Sequence, residues 1–213
     1  MQSVPPVQET GQRPSRALAY ELHVHCQCRY PSNTIVLTFV NSGSAAAVFH
    51  VLDRLDLAQI PRRYTVESAK QLSDTWSATS RGDYDVWVLG SNGFHRHFAG
   101  RLDPDFQLQA KPEMEVHYDV GRHCLEVHMH NNGNAPCTFK LHLQAHPAGR
   151  TRRRDVAALE HATHRLDLRA SQGWYDISAG LQSQASYVRR FAGGMETGLH
   201  STSAPYGPAT LRP

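Results

Sequence analysis

Apolar and polar residues alternate along most of this chain. Leu22, Val24 and Cys26 fall on one side of a short segment, with His23 and His25 on the other. A period of two is the signature of a half-buried strand. A β-branched run follows at Thr34–Val40, then a turn signal at Asn41-Ser42-Gly43 and a third strand over Ala46–Leu52. Asp85–Leu89, Ser91-Asn92-Gly93 and Phe94–Phe98 read as strand, turn and strand, a β-hairpin. Helical spacing is nearly absent, and only Val156–Thr163 offers a turn or two of helix.

The pattern occurs twice. Ser80, Gly82, Tyr84 and Asp85 recur as Ser171, Gly173, Tyr175 and Asp176. Phe94, Arg96, Phe98, Ala99 and Gly100 recur as Tyr187, Arg189, Phe191, Ala192 and Gly193. Upstream, Leu125, Val127 and Met129 alternate where Ile35, Leu37 and Phe39 do, and Asn131-Asn132-Gly133 stands where Asn41-Ser42-Gly43 does. Trp76 has Leu166 or Leu168 as its counterpart. The spacing between copies drifts slightly along the chain, as loop insertions between fixed strands would make it. Short strands with frequent turns predict an all-β fold: two tandem antiparallel β-sandwich domains of similar topology. The boundaries read as a linker at 1–17, repeat one at 18–102, a joint at 103–112, repeat two at 113–198 and a tail at 199–213. The predicted cores are Leu37, Phe39, Phe49, Tyr84, Val86, Val88 and Phe98, then Leu125, Val127, Phe139, Leu141, Tyr175, Ile177 and Phe191.

Composition narrows the chemistry. The chain has 213 residues, 14 of them histidine, and a formal net charge of +3. This mild basicity suits a phosphate-bearing partner without demanding one. Nucleic acid is not expected, because the basic residues are scattered and the aromatics read as core. No apolar run approaches the ~18 residues of a membrane span, and Met1–Thr10 lacks the apolar core of a signal peptide. The chain therefore reads as intracellular or as cut from a longer precursor. Cys26 and Cys28 share a strand face and are poorly placed to bond to each other, whereas Cys124 and Cys137 read equally as a pair or as small hydrophobes.

Several constellations deserve weighing as sites. His23/His25, His95/His97 and His128/His130 each place two imidazoles on one strand face, but no third ligand recurs at fixed spacing. No metal and no cofactor is therefore expected. Arg81-Gly82-Asp83 becomes Gln172-Gly173-Trp174 in the second copy and reads as a turn, not an adhesion motif. Tyr84 and Tyr175 read as corner tyrosines bonded to nearby backbone, with Asp85 and Asp176 accepting backbone N–H groups in the same turns. Arg150, Arg152, Arg153 and Arg154 form the densest positive cluster, which reads as a contact for an anionic surface, an ionic contact with another domain, or a solvated loop. The sequence has no nucleophile elbow, no CxxC pair and no phosphate-cradling loop.

The repeated blocks resemble the C-terminal region of bacterial phosphocholine-hydrolysing phospholipases C, haemolytic and non-haemolytic. The resemblance lies in QETGQRPSRALAYELH, NSGSAAAVFHV, PRRYTVESAKQLSDTW and YDVWVLGSNGFHRHFAG, then in NNGNAPCTF and GWYDI followed by RRFAG. It implies that the nucleophile and metal ligands lie in a separate N-terminal domain, so this chain carries no catalytic residue. It implies an exported parent that releases phosphocholine from phosphatidylcholine- or sphingomyelin-type lipids. The implied partners are that catalytic domain and, as a second candidate, a phospholipid surface. The alternative is an independent carbohydrate- or membrane-binding module, with Trp174 and Arg150–Arg154 as its candidate contacts.

Overall fold

A computed structural model describes residues 13–102, 109–144 and 150–203, the Arg150 side chain excepted. The chain before Arg13, most of the predicted joint and the end of the tail therefore lie outside the described residues. A two-residue strand, β1 (Pro14–Ser15), comes first. Seven strands follow: β2 (Leu22–Arg29), β3 (Thr34–Asn41), β4 (Ala47–Asp53), β5 (Arg62–Val66), β6 (Lys70–Ser77), β7 (Asp83–Leu89) and β8 (His95–Arg101). The second repeat supplies β9 (Pro112–Asp119), β10 (Cys124–Asn131), β11 (Cys137–Leu143), β12 (Arg150–Val156), β13 (His161–Asp167), β14 (Trp174–Leu181) and β15 (Val188–Gly194). The short β16 (Ser201–Thr202) pairs with β1, joining two stretches that carry no pattern in the sequence.

Each repeat is a seven-stranded Greek-key sandwich of immunoglobulin-like architecture. In repeat one, β2-β3-β6 lies against β5-β4-β7-β8; in repeat two, β9-β10-β13 lies against β12-β11-β14-β15. All pairings are antiparallel. The alternation is close to ideal: β3 reads half-buried, buried, half-buried throughout, so Ile35, Leu37 and Phe39 enter the core while Val36 and Thr38 do not. All fourteen predicted core residues are buried. Ile35 sits opposite Trp76 and Leu125 opposite Leu166, which makes Leu166 the counterpart of Trp76.

Val156–Thr163 is not helical. β12 ends at Val156, the chain turns with Leu159 at φ 60°, and β13 begins at His161. Two apolar residues either side of a tight turn mimic helical spacing over one turn.

The four-stranded sheets do not end at the repeat boundary. β8 and β15 pair antiparallel, with Arg96 opposite Phe191 and Phe98 opposite Arg189. The result is one eight-stranded sheet, β12-β11-β14-β15-β8-β7-β4-β5. Two exposed strand edges are thereby removed, which is a general means of suppressing unwanted pairing. The equivalent strands meet like a two-fold dimer interface within one chain.

Candidate interaction surface

The β8–β15 seam holds the largest buried polar side chains among the described residues. Arg96 and Arg189 are both fully buried and are equivalent positions of the two repeats. Arg189 Nη1 donates to the Ala99 carbonyl at 2.9 Å and its Nη2 donates to the Tyr84 hydroxyl at 2.8 Å, both across the seam. Arg96 does the reverse, donating to the Ala192 carbonyl and to the Tyr175 hydroxyl, each at 3.0 Å. Burial pushes both Tyr84 and Tyr118 well above the ordinary phenol range, so neither hydroxyl ionises at physiological pH. The Tyr84 and Tyr118 oxygens therefore serve the guanidinium groups as neutral acceptors.

The two ends of the seam differ. Arg189 also meets Glu113 Oε2 at 3.3 Å, and Glu113 Oε1 accepts the Cys28 N–H at 3.1 Å. Arg96 faces no carboxylate among the described residues; Tyr118 supplies its second hydroxyl at 3.4 Å, and the Phe94 ring lies 3.9 Å from the guanidinium carbon. Aromatic faces of this kind stabilise a desolvated cation. Phe98 and Phe191 meet edge to face between the two arginines, with centroids 5.9 Å apart.

This geometry explains the repeated motif. A side chain added at Gly100 would meet the Tyr84 hydroxyl at 2.6 Å, and one at Gly193 would meet that of Tyr175 at 3.2 Å. The Phe-Ala-Gly glycines leave room for the clasp. Gly82 takes φ +83°, and a side chain there would collide with the Leu102 carbonyl. Gly173 at φ +86° repeats the turn. The tyrosine hydroxyls thus reach an arginine of the other repeat where the sequence suggests a local corner bond. The aspartates also differ from expectation. Asp85 Oδ1 meets His97 Nε2 at 2.7 Å and Asp176 accepts from Arg190 at 2.7 and 2.9 Å, cross-strand pairs on the outer sheet face in place of turn contacts. The clasp was hidden in the sequence because each half of it looks complete within its own repeat. One available signal was the recurrence of Arg96 as Arg189 among apolar residues at strand spacing. Asn41 and Asn131, read as turn residues, are fully buried and tie the backbones of their own turns together through Oδ1 and Nδ2.

The histidine pairs separate. His95 and His97 stand on the outer sheet face flanking Trp87, with ring centroids 5.4 and 5.9 Å from it. His25, His117 and His130 surround Glu115, with nitrogen–oxygen distances of 2.9, 3.4 and 3.5 Å. The His117 and His25 bonds hold the Glu115 carboxyl far below the usual carboxylate range, and Glu115 raises His117. Among the described residues no group of three ligand side chains is arranged to hold a metal ion. All four cysteines are free; Cys124 and Cys137 lie in opposite sheets.

Strand alternation splits the arginine cluster. Arg152 and Arg154 oppose the buried Leu141 and Phe139, so they share the inner side of β12 and depress His164, whose main cause of lowering is its own burial. Arg153 opposes Lys140 on the outer side. All three are exposed on the edge strand. The opposite edge, β5, carries Arg62 and Arg63. Seven strand spacings of ~4.8 Å put the two basic edges roughly 34 Å apart. Trp174 is half-buried and donates its Nε1–H to the Thr202 carbonyl at 3.0 Å.

This architecture is that of a paired β-sandwich module, and comparison with known proteins places it. The profile of the family described as "Bacterial phospholipase C, C-terminal domain" matches residues 14–101 and again 112–194. The chain belongs to that family. It is 39% identical over 202 residues to the non-haemolytic phospholipase C of Pseudomonas aeruginosa, covering 94% of this chain and 29% of that protein. It is 38% identical to the non-haemolytic phospholipase C of Burkholderia pseudomallei, covering 28% of it. To the haemolytic phospholipase C of Pseudomonas aeruginosa it is 34% identical, covering 30%. The chain thus spans less than a third of the length of these curated relatives.

Proposed function

We propose that this chain is the non-catalytic C-terminal platform of an exported bacterial phospholipase C. It supports a separate catalytic domain that releases phosphocholine from phosphatidylcholine- or sphingomyelin-type lipids, and it helps dock that domain on a lipid surface. One observation carries this reading. The side chains repeated between the copies, Arg96 and Arg189 with Tyr84, Tyr175, Gly100 and Gly193, are spent on fusing two sandwiches into one sheet. Side chains so committed are held by their partners and serve rigidity rather than turnover. Exposed positive charge is concentrated along the arginine edges β5 and β12, where anionic headgroups attract cations by about 1 kcal/mol each.

The test has two arms. The purified chain alone should not hydrolyse a phosphocholine ester, and measurable turnover that survives repurification would overturn the non-catalytic reading. It should sediment with vesicles containing anionic lipid, more weakly at high salt, and Arg152→Ala with Arg153→Ala should reduce that binding. Identical recovery with and without anionic lipid would remove the role of the arginine edge.

A further inference from the structure

Every residue from Arg54 to Arg63, in the β4–β5 connection and the start of β5, is exposed. Three of them are large and aliphatic: Leu55 is 50% exposed, Leu57 72% and Ile60 87%. Single exposed aliphatic residues are ordinary on protein surfaces, but three within six positions of one loop call for a partner. The loop is also shaped. Asp53 Oδ1 accepts the Leu55 N–H at 2.9 Å, and Asp56 accepts from the Gln59 backbone at 3.2 Å and from its side chain at 2.8 Å. Its acids are thus turned onto the loop's own donors. Cations flank it: Arg54 lies over the Trp87 ring and pairs with Asp85, Arg62 lies over Trp76 and pairs with Asp74, and Arg63 is on the outer face of β5.

The two repeats depart from each other here. The corresponding connection in repeat two reads Gln144-Ala145-His146-Pro147-Ala148-Gly149, without a large aliphatic residue. A scaffold role would act on both copies alike, so an apolar tip present in one copy points to a task of that copy.

We propose that the Arg54–Pro61 loop is a membrane anchor: Leu55, Leu57 and Ile60 enter the acyl boundary of a phospholipid bilayer while Arg62 and Arg63 stay at the headgroups. Apolar tips beside a cationic rim match the two layers of such a surface. This rests on the lipid-docking reading above and names the element that carries it. Burial of apolar area is not screened by salt, so this contribution persists where that of the arginine edge fades.

Sedimentation with phosphatidylcholine vesicles, with and without anionic lipid and at two salt concentrations, tests it. Leu57→Ser with Ile60→Ser should keep the melting temperature of the parent chain, since both side chains are exposed. It should weaken vesicle binding about tenfold or more at high salt, whereas Arg152→Ala with Arg153→Ala should retain binding there. In a second readout, Ile60→Trp should shift its emission to the blue on vesicle addition. Parent-like binding by the Leu57/Ile60 variant would overturn the anchor while leaving lipid docking intact. Parent-like vesicle binding combined with lost association to the catalytic domain would assign the loop to a protein contact and overturn it equally. Failure of the parent chain to bind any vesicle would end the lipid reading and the anchor together.

Discussion

Arg189 of the second repeat donates to the Tyr84 hydroxyl of the first at 2.8 Å, inside a seam where both side chains are buried. Its equivalent, Arg96, returns the contact to Tyr175. Hydrogen bonds from a charged donor contribute about 1.5–3 kcal/mol each. Tyr84→Phe and Tyr175→Phe should each destabilise the chain by about 1.5–3 kcal/mol in urea denaturation, because each leaves part of a buried guanidinium without an acceptor. Tyr64→Phe, which removes a 2.5 Å contact with Asp74 near the surface, is expected to cost less. Equal losses at all three positions would deny the seam a special role.

Gly100 should not tolerate alanine. The added carbon would sit 2.6 Å from the Tyr84 oxygen and force that ring off Arg189. Overpacking of this kind costs about 1–3 kcal/mol. Gly121→Ala is the control: its nearest neighbour would be Asp119 Oδ1 at 3.6 Å, and stability should stay close to that of the parent. The comparison is read from denaturation midpoints.

Acid should weaken the fold through histidine before it reaches the carboxylates. Burial, with Arg190 adding to it, lowers His95 to about 3, and burial, with Arg96 adding to it, lowers His23 to about 4. Both are neutral when folded and take up a proton on unfolding below the ordinary imidazole value near 6.5. Stability from these two groups is therefore fully present above pH ~6.5 and falls as pH drops toward 4 and 3. His95→Gln should shift the acid-unfolding midpoint to lower pH, followed by tryptophan fluorescence. An unchanged midpoint would remove His95 as a cause.

Glu115 and His117 act over a different range. The depressed Glu115 stabilises above its unfolded pKa and loses that effect as pH falls, whereas the raised His117 stabilises below its unfolded pKa and loses it as pH rises. The stability difference between the parent and Glu115→Gln should therefore peak between roughly pH 4.5 and 6.5. A pH-independent difference would mean that packing, not charge, explains the variant.

The strands were legible because burial imposes a period of two wherever one sheet face meets a core. Leu37, Phe39, Val86 and Val88 follow it without exception. The false helical hint at Val156–Thr163 arose because a tight turn between short strands resembles one helical turn. Joining of the repeats was not legible, because β8 and β15 carry the same alternation whether their edges face water or each other. The split of Arg152, Arg153 and Arg154 between two faces follows from alternation once β12 is a strand, although the sequence presents them as one cluster. The β4–β5 loop lacks periodicity, and only its exposure in the fold sets Leu57 and Ile60 apart from core aliphatics.

If the clasp makes one platform of two sandwiches, they must unfold together. Differential scanning calorimetry of the whole chain tests this most directly. The account predicts a single transition whose calorimetric and van't Hoff enthalpies agree, and a separation into two transitions when Arg96 and Arg189 are both replaced by methionine. Two independent transitions in the parent chain would contradict it.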